Sequence, residues 1–175
     1  MAVSGGIDST TLAHALRVLP EGLGIDLRIG HVNHGLRGSE SEADEAAVAA
    51  LAEALDVPWA RRRVAPESLR AGAPSSLRPT LQEAARRLRY RALAEMAEEL
   101  GASVVATAHT RDDQAETVLL RILRGTGPSG LAGIPERSAD GRVVRPFLRV
   151  SRAQIETWAG ERGLTWREDA SNQSL

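Results

Sequence analysis

The chain has 175 residues, a length that suggests one domain whose core can hold a sheet and several helices. It contains no cysteine, which excludes disulfides, thiolate metal sites and cysteine nucleophiles. It also contains no lysine, which excludes a lysine-bearing Walker A loop and a Schiff-base lysine. The net charge of −1 argues against a protein that binds nucleic acid through its overall charge.

The sequence shows no sign of a membrane or secretory protein. No apolar run approaches the roughly 20 residues of a membrane span, and the N-terminus lacks the basic and apolar regions of a signal peptide. We therefore expect a cytoplasmic protein that does not associate with membranes. Acidic residues concentrate at 40–53 and arginines at 61–63 and 78–91, a distribution that solvated faces explain.

Five short stretches have the composition of β-strands, being apolar or rich in β-branched residues. The pattern predicts strands at residues 2–3, 27–32, 59–64, 103–107 and 143–148.

Helices are predicted between these strands from apolar residues at helical spacing. Capping-box patterns predict that three helices begin at Ser39, Thr80 and Ser151. Residues 65–79 and 125–141 are rich in glycine and proline and are predicted to be loops. The residues expected to face inward are Leu12, Leu16 and Leu19 in the first helix, Ala47, Val48, Leu51 and Leu55 in the second, Leu81, Ala85, Leu88, Ala92 and Met96 in the third, and Ala115, Val118, Leu119, Ile122 and Leu123 in the helix over 113–123.

Strands that alternate with helices predict an α/β fold, with a parallel sheet and helices on both of its faces. Such sheets bind ligands at the carboxyl ends of their strands. Three predicted strands are followed by polar segments, at residues 4–9, 31–34 and 109–113, and these segments hold three of the four histidines. The sequence therefore predicts a polar pocket where these segments meet.

The loop at residues 4–9 has the composition of a phosphate site. Its glycines let backbone N–H groups approach a ligand, and the helix that follows directs its positive end at the same place. Asp8 would repel a phosphate unless a bound Mg²⁺ lay between them. The alternative is that Gly5 and Gly6 make a tight turn and that Asp8 or Ser9 caps the helix.

Two further clusters admit both a functional and a structural interpretation. Asp112 and Asp113 could hold a metal or orient a nucleophile, or Asp113 could form a capping box with Thr110. The histidines at 31–34 could bind a metal together with His109, or could be hydrogen-bonded loop residues.

Two arginines lie one turn apart on the long helix that follows Thr80. Arg86 and Arg89 could hold a phosphate or a base edge. They could equally form salt bridges with Glu83 and its neighbours.

Taken together, these motifs resemble the N-terminal PP-loop ATP pyrophosphatase domain of the tRNA(Ile)-lysidine synthase family. The loop Ser4-Gly5-Gly6-Ile7-Asp8-Ser9 matches the S-G-G-x-D-S motif of the PP-loop superfamily, and the other motifs, in this order, narrow the resemblance. These others lie at residues 31–37, 83–86, 89–90, 107–109, 112–117, 124–127, 130–131, 145–146, 151–152, 166–169 and 171–172.

The resemblance implies a Rossmann-like fold of the adenine nucleotide alpha hydrolase-like kind. It also implies a reaction, in which ATP adenylates the C2 oxygen of the wobble cytidine in a tRNA(Ile) with a CAU anticodon and pyrophosphate leaves. Free L-lysine then displaces AMP to give lysidine. The expected cofactors are ATP and Mg²⁺, and the expected partners are this tRNA and lysine.

The resemblance also implies roles for individual residues. The groups it assigns to ATP are Ser4, Gly5, Gly6, Ile7, Asp8 and Ser9 at the pyrophosphate, with His31 and Asn33 at the adenine. It assigns Mg²⁺ to Asp8 and Asp113, and catalysis to Asp8, Arg86, Arg89, His109, Asp112 and Asp113.

The chain departs from the family pattern at both ends. Only three residues precede the loop at 4–9, and the chain stops soon after residue 172, where the family continues into tRNA-binding domains. We therefore expect a fragment, with a catalytic domain at 1–150 and the start of a helical segment at 151–175. The oligomeric state is open, with a homodimer as the candidate.

Three other functions stay open for this sequence. The chain could be another PP-loop adenylating enzyme. It could be a metal-dependent hydrolase that uses the histidines and aspartates, or an inactive nucleotide-binding fragment.

Overall fold

The computed structural model describes residues 1–19, 23–35, 39–72, 74, 77–127 and 131–168. Helices and strands alternate along most of the chain, as expected for an α/β fold. The elements, in chain order, are α1 (Ile7–Arg17), β1 (Ile29–Asn33), α2 (Ser39–Ala54), β2 (Trp59–Arg63), α3 (Pro66–Ala71), α4 (Leu81–Glu99), β3 (Val105–Ala106), α5 (Arg111–Leu123), β4 (Val143–Val144) and α6 (Arg152–Glu161).

Parallel strands form the centre of the molecule, which confirms the predicted fold class. β1 pairs with β2, and β3 pairs with β4, both in parallel. The first residues of the chain lie between the two pairs: the Ala2 N–H donates to Ala106 O at 2.9 Å, and the Val3 N–H donates to Gly30 O at 3.0 Å. The carboxyl ends of these strands therefore meet at one edge, where residues 4–9 leave the sheet.

The strand predicted at 2–3 forms only a single bridge, between Ala2 and Gly30, and β1 and β2 differ from their predicted bounds by one or two residues. The last two strands are much shorter than the sequence predicts. β3 covers Val105–Ala106 and β4 covers Val143–Val144, instead of 103–107 and 143–148. β4 ends because the chain turns: the Leu148 N–H donates to Arg145 O at 3.2 Å. Pro146 has no N–H to continue a ladder, so the strand cannot extend through it.

The prediction of a loop over 65–79 is wrong at its start, where α3 forms. Pro66 is the first helical residue, and its fixed φ angle is already suited to that position. The helix ends at Gly72, whose N–H donates to Ser68 O at 3.2 Å. Proline therefore begins a helix here, although a stretch rich in proline and glycine predicts a loop.

The core lies on both sides of the sheet. On the α1 and α2 side, Leu12, Ile29 and Val48 are fully buried. Leu19 lies beyond the end of α1 and is 41% exposed, so its predicted inward position is wrong. On the other side α4 buries Ala84, Leu88, Ala92, Leu93 and Met96, while Leu81 and Ala85 are only half-buried.

The inward face predicted for α5 is also wrong. None of its residues, all of which the structure describes, is buried, and Leu119, Ile122 and Leu123 are 59%, 53% and 82% exposed. The polar side of the helix faces the protein, because Gln114 exchanges two hydrogen bonds with the backbone of Ile134. We call Leu119, Ile122 and Leu123 the α5 apolar face.

Helix caps follow the sequence closely where side chains are described. Capping boxes form at Thr80, Thr110 and Ser151. The predicted cap at Ser39 involves a side chain outside the described set. No helix among the described residues combines the length and apolar character needed to cross a membrane.

Candidate active site

A cavity of about 600 Å³ lies at the carboxyl edge of the sheet. The three polar segments that follow strands all contribute to its walls, and α4 adds an arginine and a tyrosine. The expected residues that line it are Ser4, Gly6, Asp8, Ser9, His31, Asn33, His34, Arg89, Tyr90, His109 and Asp113. Gly5, Ile7, Arg86 and Asp112 are not part of the lining.

The loop at residues 4–9 leaves the start of α1 open. Its N-cap is Gly6, which has no side chain to cap the helix, and the preceding Gly5 has a φ of +96°, a conformation that favours glycine. The loop is braced by its own polar groups: the Ser4 N–H donates to Ser9 Oγ at 3.2 Å, and Ser9 Oγ donates to Gly6 O at 3.0 Å. The N–H groups of the first turn of α1 are therefore free of a side-chain cap.

Asp8 does not cap α1, since neither of its oxygens bonds to that first turn. Oδ2 accepts a hydrogen bond from Arg152 Nη1 at 2.9 Å. Oδ1 is buried and has no hydrogen-bond partner among the residues that the structure describes. Burial raises the pKa of Asp8, while Arg152 opposes the rise and the charge of Asp113 adds to it. Asp8 as a whole is half-buried, but a buried carboxylate oxygen without a partner is unfavourable unless a ligand meets it.

The neighbouring acids Asp112 and Asp113 have different positions and different partners. Asp113 forms the capping box, since its Oδ2 accepts from the Thr110 N–H at 2.6 Å, and it lines the cavity as well. Asp112 is exposed and its Oδ2 accepts from the Arg152 N–H at 2.8 Å, outside the cavity. The cap interpretation is thus confirmed, and only Asp113 is positioned to meet a ligand.

The two arginines of α4 also differ. Arg89 lines the cavity, whereas Arg86 is exposed, and their guanidinium carbons lie 5.7 and 5.0 Å from the centre of the Tyr90 ring. Burial lowers the pKa of Arg89, but an arginine keeps its charge. Tyr90 Oη is buried with no partner within the described part of the chain. Of the two α4 arginines, Arg89 is therefore the one that can reach a ligand in this cavity.

Three histidines reach the cavity, and burial lowers the pKa of His31, His34 and His109. His31 Nδ1 lies 2.9 Å from Val3 O, and since a carbonyl only accepts, Nδ1 carries the proton. Nε2 of the neutral ring is then an acceptor, and it has no partner among the described residues. His109 Nδ1 lies 2.9 Å from Thr107 Oγ1. We therefore treat the three rings as neutral near pH 7.

The histidines and acids that the structure describes do not group as a transition-metal site would require. Among the residues described here, no group of three or more histidine and acidic side chains could hold a metal ion. Mg²⁺ requires a different set of ligands, because it binds through one or two carboxylates together with substrate phosphates. Asp8, with its unpartnered Oδ1, and the neighbouring Asp113 fit such an ion.

Sequence reasoning gave no role to an ion pair that borders the cavity. Arg167 Nε donates to Asp44 Oδ1 at 2.6 Å, and the Arg167 N–H donates to Gly5 O at 3.0 Å. The C-terminal segment thus holds both the loop at 4–9 and α2. Residue 167 lies in one of the motifs that carry the family resemblance, at 166–169, so the sequence did mark this segment. No spacing rule, however, connects Arg167 with Asp44.

Comparison with curated proteins identifies tRNA(Ile)-lysidine synthases among the relatives of this chain. The chain is 45% identical over 174 residues to the tRNA(Ile)-lysidine synthase of Symbiobacterium thermophilum, covering 98% of the chain and 35% of that protein. It is 46% identical over 172 residues to the tRNA(Ile)-lysidine synthase of Deinococcus radiodurans, covering 98% and 27%. The chain thus spans about a third of the length of these curated relatives.

Solved structures agree on the fold. The U34-tRNA thiolase NcsA from Methanococcus maripaludis has a TM-score of 0.73 at 19% identity, covering 100% of this chain and 60% of that one. The NH3-dependent NAD synthetase from Campylobacter jejuni has a TM-score of 0.55 at 17% identity, covering 93% and 62%. A family model described as a PP-loop domain matches residues 1–175. The chain therefore belongs to the PP-loop domain family.

Proposed function

We propose that this chain is the ATP-using catalytic part of a tRNA(Ile)-lysidine synthase. The observation that carries the proposal is the composition of one cavity, which joins the uncapped loop at 4–9 to Arg89, His109 and Asp113. The identity to proteins named tRNA(Ile)-lysidine synthase supports it. The substrates are a tRNA(Ile) with a CAU anticodon, free L-lysine and ATP.

The first reaction uses the open end of α1. The C2 oxygen of the wobble cytidine attacks the α-phosphorus of ATP, the bond to the bridging oxygen breaks, and pyrophosphate leaves. N–H groups of the loop at 4–9 bind the two outer phosphates as one leaving group. Arg89 stabilises the charge that develops at the α-phosphate. Asn33 and His31 line the cavity beside this loop and bind the nucleoside.

The second reaction needs a neutral amine. The ε-nitrogen of lysine attacks C2 of the adenylated cytidine, and AMP leaves with the C2 oxygen. An ammonium has no lone pair, so a nearby group must first accept its proton. The neutral His109, in the cavity wall, is the acceptor that we propose, and Asp113 beside it is an anion that can attract the ammonium.

Mg²⁺ is part of the proposal. Asp8 and Asp113 would hold the ion, which neutralises phosphate charge facing two carboxylates. A bound ion would offset the electrostatic repulsion between the Asp8 carboxylate and the phosphates at the loop at 4–9.

Pairing of two copies is also proposed, through the α5 apolar face. A stripe that is more than half exposed on an amphipathic helix marks an interaction surface. Replacing Leu123 with Glu would place a charge on that surface and is expected to convert a dimer to a monomer in sedimentation. A variant that sediments like the parent chain would contradict pairing through this face.

The cytoplasm is the proposed location. The division into 1–150 and 151–175 stays a proposal as well, although α6 packs on α1, where Ile155 and Ala159 meet Ile7.

A direct test incubates the chain with ATP, Mg²⁺, ¹⁴C-lysine and a tRNA(Ile) transcript with a CAU anticodon. We expect label in the tRNA together with release of AMP and pyrophosphate. A transcript with a GAU anticodon is the control and should take up none. Pyrophosphate release without lysine transfer would instead support another adenylating enzyme. Formation of ADP and phosphate would contradict the proposed chemistry, since the cleaved bond would be the wrong one.

A further inference from the structure

The first turn of α6 contacts acids that follow two different strands. Arg152 Nη1 donates to Asp8 Oδ2 at 2.9 Å, and the Arg152 N–H donates to Asp112 Oδ2 at 2.8 Å. Asp8 lies 144 residues before Arg152 in the chain. One residue thus ties the loop at 4–9 to the start of α5.

The position of Arg152 is fixed from several sides. Ser151 caps α6 with a capping box, which sets where the helix begins. Glu156 Oε1 accepts from Arg152 Nε at 2.8 Å. Two different nitrogens of the planar guanidinium are therefore engaged, one by Glu156 and one by Asp8, an arrangement that a lysine ammonium cannot reproduce.

The consequence for Asp8 is an unequal use of its two oxygens. Oδ2 is held by Arg152, and the carboxylate plane is thereby restrained. Oδ1 is left buried and unpartnered in the part of the molecule described. Arg152 itself is not part of the cavity lining, whereas Asp8 is. Asp8 is therefore the cavity-lining side chain through which Arg152 makes its contact with the site.

We propose that Arg152 is a positioning residue that holds Asp8 by Oδ2 and so presents Oδ1 to the magnesium-bound phosphates. This inference rests on the proposed function of Asp8 in cleaving ATP. It gives α6 a role in the reaction, because the helix carries the group that orients an acid of the loop at 4–9.

The test compares Arg152→Met, Arg152→Lys, Asp8→Asn and the double variant Asp8→Asn/Arg152→Met. Methionine keeps an unbranched stem without the charge, and lysine restores the charge and one donor. Arg149→Met is the matched control, since Arg149 is 86% exposed, pairs with Glu136 and does not line the cavity. Pyrophosphate release, the Kd of ATP and the melting temperature are measured for each.

We expect Arg152→Met to slow pyrophosphate release about 10- to 100-fold, as for other residues that orient a ligating group. The Kd of ATP should change less than about threefold, since the cavity lining is intact. Arg152→Lys should recover part of the rate. In the Asp8→Asn background the Arg152→Met change should cost nothing further, because the group it orients is gone.

A second readout needs no turnover. Protein labelled with ¹³C at its aspartate carboxyls is mixed with Mn²⁺ and α,β-methylene-ATP, and the Mn²⁺–¹³C coupling is measured by electron–nuclear double resonance. The part of the signal that Asp8→Asn removes belongs to Asp8. Arg152→Met should weaken that part, and Arg149→Met should leave it unchanged.

The outcomes separate the two claims. If Asp8→Asn leaves both pyrophosphate release and the Mn²⁺ coupling unchanged, the proposed function of Asp8 fails. If Asp8→Asn removes them but Arg152→Met does not reduce either, or reduces them additively with Asp8→Asn, the positioning role fails. If Arg152→Met lowers the rate, weakens ATP binding and lowers the melting temperature together, and Arg152→Lys restores none of them, Arg152 has a structural role only. That result would overturn the inference.

Discussion

The helices α1 and α5 both begin where the chain leaves the central sheet and both carry an acid in the first turn, yet their N-termini are built differently. α5 is closed, because Thr110 and Asp113 satisfy each other in a capping box. α1 is open, because its N-cap is Gly6 and the oxygens of Asp8 are turned away from the first turn. A closed end stabilises its own helix, whereas an open end has N–H groups to offer an anion. We therefore expect the N-terminus of α5 to contribute mainly to the stability of the fold, and the N-terminus of α1 to bind phosphate.

The largest effect is expected from Asp8→Asn, which removes the charge at the open end. Pyrophosphate release should fall by about 100-fold or more, because a neutral amide does not hold Mg²⁺ beside the phosphates. The melting temperature should stay close to that of the parent chain, since Asn has the same shape. Quenched-flow measurement of pyrophosphate checks the rate. Unchanged release would remove Asp8 from the chemistry.

Arg89→Ala tests the α4 arginine that lines the same cavity as the two helix ends. We expect adenylate formation to slow by about 100-fold while the Kd of ATP rises less, because the charge at the α-phosphate increases during reaction. Arg86→Ala is the matched control, since Arg86 is exposed and lies outside the cavity lining. Equal losses in binding and rate for Arg89→Ala would show a ground-state contact only.

Thr110→Val tests the closed end. Removing the hydroxyl should lower the free energy of unfolding by about 1 kcal/mol, since the cap of α5 is lost. Pyrophosphate release should fall less than about tenfold, because Asp113 keeps its place in the cavity wall. Urea denaturation gives the stability. A stable variant that has lost all activity would reverse the roles we assign to the two helix ends.

The smallest effect concerns pH and His31, which lies beside the open end. Burial lowers the pKa of His31 from 6.5. Its hydrogen bond to Val3 and the charge of Asp44 oppose this change. His34 is a second titratable ring close to His31. The unfolded chain therefore binds the proton first, so stability is complete above pH 6.5 and declines as pH falls below it. The slope from one such group is at most about 1.4 kcal/mol per pH unit.

His31→Gln should make the free energy of unfolding fall less steeply below pH 6.5. At pH 8 the substitution should change the free energy of unfolding by less than it does at pH 5. Urea denaturation at pH 8, 6 and 5 measures it. An unaltered slope would show that His31 does not titrate against folding, and that the other buried histidines carry the dependence.

Local chemistry in the sequence predicted much of this arrangement. The caps at Thr80, Thr110 and Ser151 follow from residues three positions apart, and all three form. The polar segments at 4–9 and 109–113 meet because the carboxyl ends of parallel strands share an edge. These inferences depend on neighbours in the chain, where the physical rules are strongest.

Features that depend on distant partners could not be predicted. The periodicity of α5 marks an apolar stripe, but it does not say whether the stripe meets the core, and here Gln114 turns it outward through Ile134. The sequence offered a capping role only for Asp113 but a ligand-binding role for both acids, and the fold separates them, because Asp112 accepts a hydrogen bond from the Arg152 N–H outside the cavity. The contact of Arg152 with Asp8 spans 144 residues and has no local signal.

The central claim is that the open end of α1 binds the pyrophosphate part of ATP. Its most direct test is a titration of the ¹⁵N-labelled chain with inorganic pyrophosphate and Mg²⁺, followed by backbone amide NMR. We expect the largest shifts at the N–H groups of residues 5–9, with little change at the first turn of α5. Shifts that are absent from residues 5–9, or that centre on the capped end of α5, would contradict the account.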